Sequence, residues 1–212
     1  MHTIDIVSDV SCPWCIIGYR ALEDALRELN IEESVSITWR PFELNPTMPA
    51  EGQDRAEHIQ QKYGLTEAQG AANRQNLIDR GLSVAYEFNF PEKGRVFNTF
   101  DAHRLLHWAK DHGLQTELKL AFFDLYFKNA GNPSDHQQLL DCVGQVGLDR
   151  QQAQDVLDSD KYTSEVRADQ QLGQQQGISS VPAFIFNNKY LISGGQPKDV
   201  FVNALNELEK QT

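Results

Sequence analysis

Cys12-Pro13-Trp14-Cys15, placed between a short apolar run and a long helical pattern, decides the fold of this 212-residue chain. The two cysteines are three positions apart, so one turn of helix would bring their sulfurs within bonding distance. Pro13 falls at the start of the helix, where proline is best tolerated. A helix N-terminus also stabilises a thiolate, so the pair is predicted to exchange disulfides reversibly.

The helix after the cysteines predicts different roles for the two sulfurs. Its apolar positions recur every three or four residues, as Cys15, Tyr19, Leu22, Leu26 and Leu29. Cys15 is therefore expected to face the core, where apolar surroundings would keep its proton on. Cys12 lies at the cap, near free backbone N–H groups. We expect Cys12 to attack a partner sulfur and Cys15 to resolve the mixed disulfide.

Composition limits the partners and the compartment. The chain has 19 basic and 30 acidic residues, a net charge of -11, which argues against nucleic acid or an anionic membrane as partner. No apolar run approaches the ~20 residues of a membrane span. Met1 to Val7 has no basic region and is typical of a first strand, not of a signal peptide. Three cysteines, two of them paired by spacing, fit a reducing compartment, so a cytoplasmic protein is expected.

The order of predicted elements gives an α/β fold interrupted by helices. Strands at about 3–8 and 34–40 flank a helix at about 13–29, and a second group contains strands Ala183–Phe186 and Tyr190–Ile192 and a helix at about 198–210. Helical stripes fill the region between. Residues 1–50 and 177–212 are therefore predicted to form one discontinuous domain of βαβ and ββα halves. Residues 51–176 are predicted to form an all-helical insertion.

Val181-Pro182, directly before a buried-looking strand, joins the cysteine pair in a wider resemblance. Proline cannot donate to a sheet ladder and is suited to the first residue of a strand. Together with Cys12 to Cys15 and the order of elements, it resembles the DsbA family of thioredoxin-fold oxidoreductases, most closely the cytoplasmic FrnE-like branch. Segments similar to that branch are Arg40–Pro46, Asn98–Leu105 and Ile192–Pro197.

The resemblance implies a thioredoxin fold with a cis bond between Val181 and Pro182, facing the cysteines. Its implied substrate platform is made by Val181 and Pro182, with candidate contacts from Pro13, Trp14, Phe42 and His103. Phe42 and His103 could equally belong to the core. Many relatives carry a buried acid on the first strand, six residues before the first cysteine, and here that position is Ile6. Asp5 and Asp9 flank it, but strand alternation is expected to point both away.

The leading functional hypothesis is a dithiol–disulfide oxidoreductase with a redox-active Cys12–Cys15 disulfide and no bound cofactor. Its expected partners are cysteine-containing peptides or small thiols, with glutathione as a candidate co-substrate, and the chain is expected to be a monomer or a homodimer. The alternatives are a glutathione-dependent isomerase or transferase on the same scaffold, and a peptide-binding chaperone.

Other chemically active side chains favour structural roles. Cys142 lies on an apolar helical face and is expected to be a small buried hydrophobe. His103 and His107 have the i, i+4 spacing of two metal ligands, but no third ligand accompanies them, so no metal site is expected.

Overall fold

The computed structural model describes residues 2–210, which contain six strands and nine helices. In chain order they are β1 (His2–Ser8), α1 (Pro13–Leu29), β2 (Val35–Pro41), β3 (Gln53–Asp54), α2 (Arg55–Tyr63), α3 (Glu67–Leu82), β4 (Arg95–Val96), α4 (Phe100–Lys110), α5 (Gln115–Phe127), α6 (His136–Gln145), α7 (Arg150–Leu157), α8 (Thr163–Gln175), β5 (Ala183–Phe186), β6 (Tyr190–Ser193) and α9 (Lys198–Glu209).

A four-stranded sheet with the order β2-β1-β5-β6 carries the βαβ and ββα halves. β1 and β2 are parallel, and the two other pairings are antiparallel. The central strands β1 and β5 are mostly buried, because both of their faces are covered. The predicted α/β class with a thioredoxin fold is therefore confirmed.

Helix α1 begins and ends where local sequence signals predict. Pro13 is its first residue, and Asn30 ends it in the left-handed conformation, with its N–H donating to the carbonyls of Leu26 and Arg27. The buried face of α1 and that of α9 share a core with the sheet. Phe184 of β5 stacks edge-on against Phe201 of α9, with their ring centroids 4.9 Å apart.

Residues 51–176 contain seven helices, but they are not wholly helical. β3 and β4 pair antiparallel, with Gln53 opposite Val96 and Asp54 opposite Arg95. This short ladder connects the start of α2 to the irregular segment after α3. None of the helices between residues 2 and 210 is both long enough and apolar enough to cross a bilayer.

The helical region packs directly on the α/β part. Gln115 of α5 accepts a hydrogen bond from the backbone N–H of Trp39 (2.9 Å) and donates one to its carbonyl (3.0 Å), which covers the outer edge of β2. Tyr86, Phe123 and Phe127 belong to the same buried cluster as β1 and α1. The two parts therefore share one core around the cysteine pair.

Candidate active site

The two cysteines lie at the N-terminus of α1 as free thiols. Cys12 is the N-cap residue with extended backbone angles, and its carbonyl accepts a hydrogen bond from the N–H of Cys15 at 3.1 Å. Cys15 follows within the first turn and is fully buried. This geometry matches the helical turn that the spacing of the cysteines predicts.

The loop before β5 lies against Cys12. The peptide bond between Val181 and Pro182 is cis, and the Cys12 thiol points to the Val181 carbonyl with 3.7 Å between Sγ and O. Gly195 packs on Trp14, since a Cβ at position 195 would lie 3.0 Å from the Trp14 carbonyl and 3.2 Å from its ring. The Ile192–Pro197 segment therefore helps to seat the tryptophan between the two cysteines.

The two thiols titrate as a pair. Their mutual hydrogen bond and their burial raise the pKa of Cys12 well above the usual range of a thiol. Burial acts against ionisation of Cys15 too, but its interactions with the neighbouring Cys12 and Ser8 side chains and the charge of Lys119 lower its pKa. That apolar surroundings keep Cys15 protonated stays a prediction, and the charge of Lys119 is a second influence that the sequence did not indicate. That Cys12 is the attacking sulfur stays a prediction.

Asp9 is buried directly behind the cysteines, contrary to the expectation that it points away. β1 ends at Ser8, so strand alternation no longer governs the next residue. The Asp9 carboxylate accepts hydrogen bonds from the backbone N–H groups of Leu44 (2.7 Å) and Ser11 (3.2 Å). Burial alone would raise the pKa of Asp9, but the contact with His103, the Leu44 N–H and the charge of Lys119 lower it.

Lys119 of α5 completes this buried group and is only 1% exposed. Its Nζ lies 4.9 Å from the ring centroid of Phe123 and 5.3 Å from that of Trp39. Burial lowers the pKa of Lys119 to about 8, although Cys15, Asp9 and Cys12 act in the opposite direction. A cation that is costly to bury is thus held near Cys15, and we call Asp9, His103 and Lys119 the buried cluster.

A cavity of about 750 Å³ opens on the other side of the cysteines, between α1 and the segment that contains α2, α3 and β4. Of the predicted site residues, Cys12, Pro13, Trp14 and Val181 line it. Pro182 is buried beside Val181. The structure therefore brings the cysteine motif and the start of the Val181-Pro182 segment to one surface.

Two predicted substrate contacts lie elsewhere. His103 is 3% exposed, with its Nε2 3.5 Å from Asp9 Oδ1, behind the cysteines and away from the cavity. Phe42 packs against the buried group of Val7, Ile178 and Ala183. Neither side chain is among the residues that line the cavity, and the half-buried Phe42 packs against the same group as Val181. A role of His103 or Phe42 in substrate binding stays a prediction.

The remaining candidates have structural partners. His107 Nδ1 lies 4.0 Å from Asp169 Oδ2, whereas His103 faces Asp9, so the two histidines contact different carboxylates. Cys142 is buried on α6, and burial raises the pKa of its thiol to about 11. It lies in the cluster of α4 to α7, which supports its predicted role as a small core residue.

Basic residues of the cavity wall were not identified from the sequence. Arg55, His58, Arg74, Lys93 and Arg95 all line the cavity. They are spread over α2, α3 and the segment around β4, so no short motif contains them. One sequence signal could have pointed to the arginines. They lie in a segment without a continuous apolar face, so the sequence gives them no evident structural role.

Comparisons with known proteins agree with this geometry. A family model described as the DSBA-like thioredoxin domain matches residues 3–206. The uncharacterized protein YwbO of Bacillus subtilis is 27% identical over 209 residues, 98% of each chain. The crystal structure of the probable DsbA oxidoreductase SCO1869 from Streptomyces coelicolor is 31% identical, with a TM-score of 0.94 over 100% of this chain and 92% of that one.

A more distant structure has the same fold. The cytosolic disulfide reductase DsbM from Pseudomonas aeruginosa, solved with GSH, is 15% identical and superimposes with a TM-score of 0.69 over 98% of this chain and 99% of the other. The family model covers nearly all of the sequence and includes both the cysteine motif and the Val181-Pro182 segment. The chain belongs to the family of DSBA-like thioredoxin-domain proteins.

Proposed function

We propose that this protein is a thiol–disulfide oxidoreductase that uses Cys12 and Cys15. The observation that carries the proposal is the pair of free thiols one helical turn apart at the start of α1, with Cys12 on the wall of a large cavity. The two thiols titrate as a pair, so ionisation belongs to the pair, and the thiolate is the nucleophile in disulfide exchange. We assign the attack to Cys12 because it is the sulfur of the pair that lines the cavity.

In the proposed reaction Cys12 attacks one sulfur of a substrate disulfide. A new S–S bond forms to Cys12, and the other substrate sulfur leaves as a thiolate with the bonding electron pair. Cys15 then attacks Cys12 Sγ, forms the Cys12–Cys15 disulfide and releases the second substrate thiolate. The protein loses two electrons and the substrate gains them, and the two protons of the cysteines end on the two product thiols. The reverse sequence oxidises a dithiol.

Each side of the cysteine pair supports one part of this proposal. The charge of Lys119 lowers the pKa of Cys15, which prepares the second attack. The Val181 carbonyl lies 3.7 Å from Cys12 Sγ, where it can accept a hydrogen bond from a substrate that is bound next to Cys12. The expected partners are peptide or small-molecule disulfides, and the GSH in the DsbM structure favours including small thiols among them. The cysteine content favours a reducing, cytoplasmic setting.

The test is single-turnover reduction of a disulfide by the prereduced protein. Cys12→Ala should abolish the reaction, whereas Cys15→Ala should stop after one attack and retain a mixed disulfide on Cys12, visible as a mass increase of one substrate thiol. Cys142→Ala is the matched control and should behave as the wild type, because Cys142 is buried and its pKa is raised to about 11.

The result that contradicts the proposal is full exchange activity in Cys12→Ala. A mixed disulfide found on Cys15 in place of Cys12 would reverse the two roles. An isomerase or aggregation-suppressing activity that survives in the Cys12→Ala, Cys15→Ala double variant would favour the glutathione-dependent enzyme or the chaperone instead.

A further inference from the structure

The charge on the cavity wall is opposite to that of the protein. The chain has a net charge of -11, yet among residues 2–210 the cavity-lining side chains include three arginines, a lysine and a histidine and no aspartate or glutamate. Concave sites with one sign of charge concentrate ligands of the opposite sign. The cavity therefore differs in character from the rest of the acidic surface.

Arg55 and Arg74 are the two arginines in the wall that are partly buried. Neither takes part in any of the ion pairs within residues 2–210. Burial and the neighbouring charge of Arg74 lower the pKa of Arg55. The charge of Asp54 acts in the opposite direction on Arg55. Two guanidinium groups that repel each other and form no ion pair within residues 2–210 would be stabilised by a bound anion.

The Arg55 side chain is held in place for such a role. Its Nη2 donates to the Pro91 carbonyl at 2.6 Å, and its guanidinium carbon lies 5.4 Å from the ring centroid of Phe90. A Cβ at Gly94 would lie 2.4 Å from Arg55 Nη1, so the absence of a side chain there makes room for the guanidinium. Arg55 is therefore a preorganised cation and not a mobile surface side chain.

The rest of the wall is largely apolar and includes Trp14, Ile59, Leu77, Phe97 and Phe127. A volume of about 750 Å³ lies within the range of ~300–1,000 Å³ found for small-molecule sites. Cys12 lines the same cavity as the arginines, so a bound molecule would meet the thiol.

Building on the proposed function, we propose that the substrate is a low-molecular-weight disulfide that carries an acidic group on an apolar or aromatic body. Its acidic group binds between Arg55 and Arg74, its body fills the apolar wall, and its S–S bond is attacked by Cys12. The exchange steps and their balance of electrons and protons are those given above, with both product thiols leaving from the cavity.

The experiment compares two aromatic disulfides that differ in charge: dithiobis-nitrobenzoate, with a carboxylate on each ring, and neutral dithiodipyridine. Prereduced protein is mixed with each, and release of the coloured thiol is followed in a single turnover. The measured quantity is the ratio of the two second-order rate constants, anionic over neutral. We expect Arg74→Gln to lower this ratio about tenfold, equivalent to ~1.4 kcal/mol.

The matched control is Arg80→Gln, which removes the same charge from the same helix at a position that does not line the cavity. It should leave the ratio unchanged. High salt should lower the ratio in the wild type, because screening weakens the attraction of an anion to partly solvated guanidinium groups.

Three outcomes would each contradict a different claim: the acidic group of the substrate, its small size, or the proposed function itself. Equal ratios in the wild type, Arg74→Gln and Arg80→Gln, with both disulfides still reduced through Cys12, would refute the anionic substrate and leave the proposed function standing. A neutral cystine-containing peptide that reacts faster than either aromatic disulfide, and equally fast in Arg74→Gln, would replace the small molecule by a peptide. If Cys12 reduced none of the three disulfides, the proposed function would fail as well.

Discussion

The charged side chains on the two sides of the cysteine pair differ in whether they have a partner of opposite charge. Behind Cys15, the carboxylate and the cation of the buried cluster are almost fully shielded from solvent and interact with each other and with the thiols. In front of Cys12, Arg55 and Arg74 line a cavity and form no ion pair with a carboxylate within residues 2–210. Charges that are already compensated tune the site, whereas uncompensated ones are available to a ligand.

We expect the buried cluster to affect mainly the stability of the protein and the cavity arginines to affect mainly substrate binding. The buried cluster carries the desolvation cost of its charges in every folded molecule, so changing it should alter the free energy of unfolding. The arginines of the cavity are partly solvated, so changing them should alter mainly the choice of substrate. The predictions below test that separation, from the largest effect to the smallest.

Lys119→Met should stabilise the protein at pH 7. Burial lowers the pKa of Lys119 from 10.5 to about 8, which at ~1.36 kcal/mol per unit corresponds to a penalty on the order of 3 kcal/mol. Since the unfolded chain holds this proton more tightly, the penalty is complete below pH ~8 and declines as the pH rises towards ~10.5. Urea unfolding at pH 7 and pH 10 should therefore show a gain that shrinks at the higher pH.

The matched control is Lys110→Met on α4, an exposed lysine whose replacement should change stability little. The Lys119→Met variant should also react more slowly with iodoacetamide at Cys12 at neutral pH, because the positive charge that favours a thiolate on the cysteine pair is gone. A Lys119→Met protein less stable than the wild type at pH 7 would contradict the assignment of a net penalty to this lysine.

Asp9→Asn should destabilise the protein by about 2 kcal/mol at pH 7, because it weakens two hydrogen bonds from Leu44 and Ser11 and removes the negative charge near Lys119. The folded-state pKa of Asp9 is lowered, so its stabilising contribution is present above pH ~4 and is lost as the pH falls through the folded-state pKa. The gap between wild type and variant should consequently narrow on acidification.

Denaturant unfolding at pH 7 and at pH 3 measures this gap. Asp24→Asn is the control, because Asp24 pairs with Arg27 on the solvent side of α1 and its loss should matter far less. An Asp9→Asn variant as stable as the wild type at pH 7 would show that the Asp9 carboxylate contributes nothing beyond its shape.

Gly94→Ala should have the smallest effect and should act on the cavity alone. The added Cβ would collide with Arg55 Nη1, so the guanidinium must move and the ratio of anionic to neutral disulfide reduction should fall about threefold. Gly173→Ala, on α8, is the matched control, since its Cβ would meet nothing within 4 Å. An unchanged ratio in Gly94→Ala would show that the position of Arg55 does not matter.

Most of the sheet and helix boundaries near the site could be predicted, because they depend on local signals. The predicted helix at 13–29 and the observed α1 have the same limits, set by Pro13 at one end and Asn30 at the other. The strand before the cysteines and the β5–β6 hairpin were also predicted within two residues of their observed ends. The β3–β4 ladder was missed, because two-residue strands have no readable periodicity.

The surroundings of the cysteines could be predicted far less well. Lys119 lies on a helix whose apolar stripe was evident, but its side chain is buried because the β2 edge and Phe123 cover it. Asp9 turns inward only because the strand ends one residue earlier. Both positions depend on packing between segments that are far apart in the chain, and local patterns carry no information on such contacts.

Spacing and residue type alone determined that this protein has a dithiol at a helix N-terminus. The two cysteines are one helical turn apart, they follow a strand, and the proline between them begins the helix. Only the folded arrangement decided which charges that dithiol meets. Residues 9, 103 and 119 converge behind it and residues 55 and 74 in front of it through contacts across 16 to 110 positions of sequence. Electrostatic energy depends on distance in space and on burial, and neither can be read from neighbours along the chain.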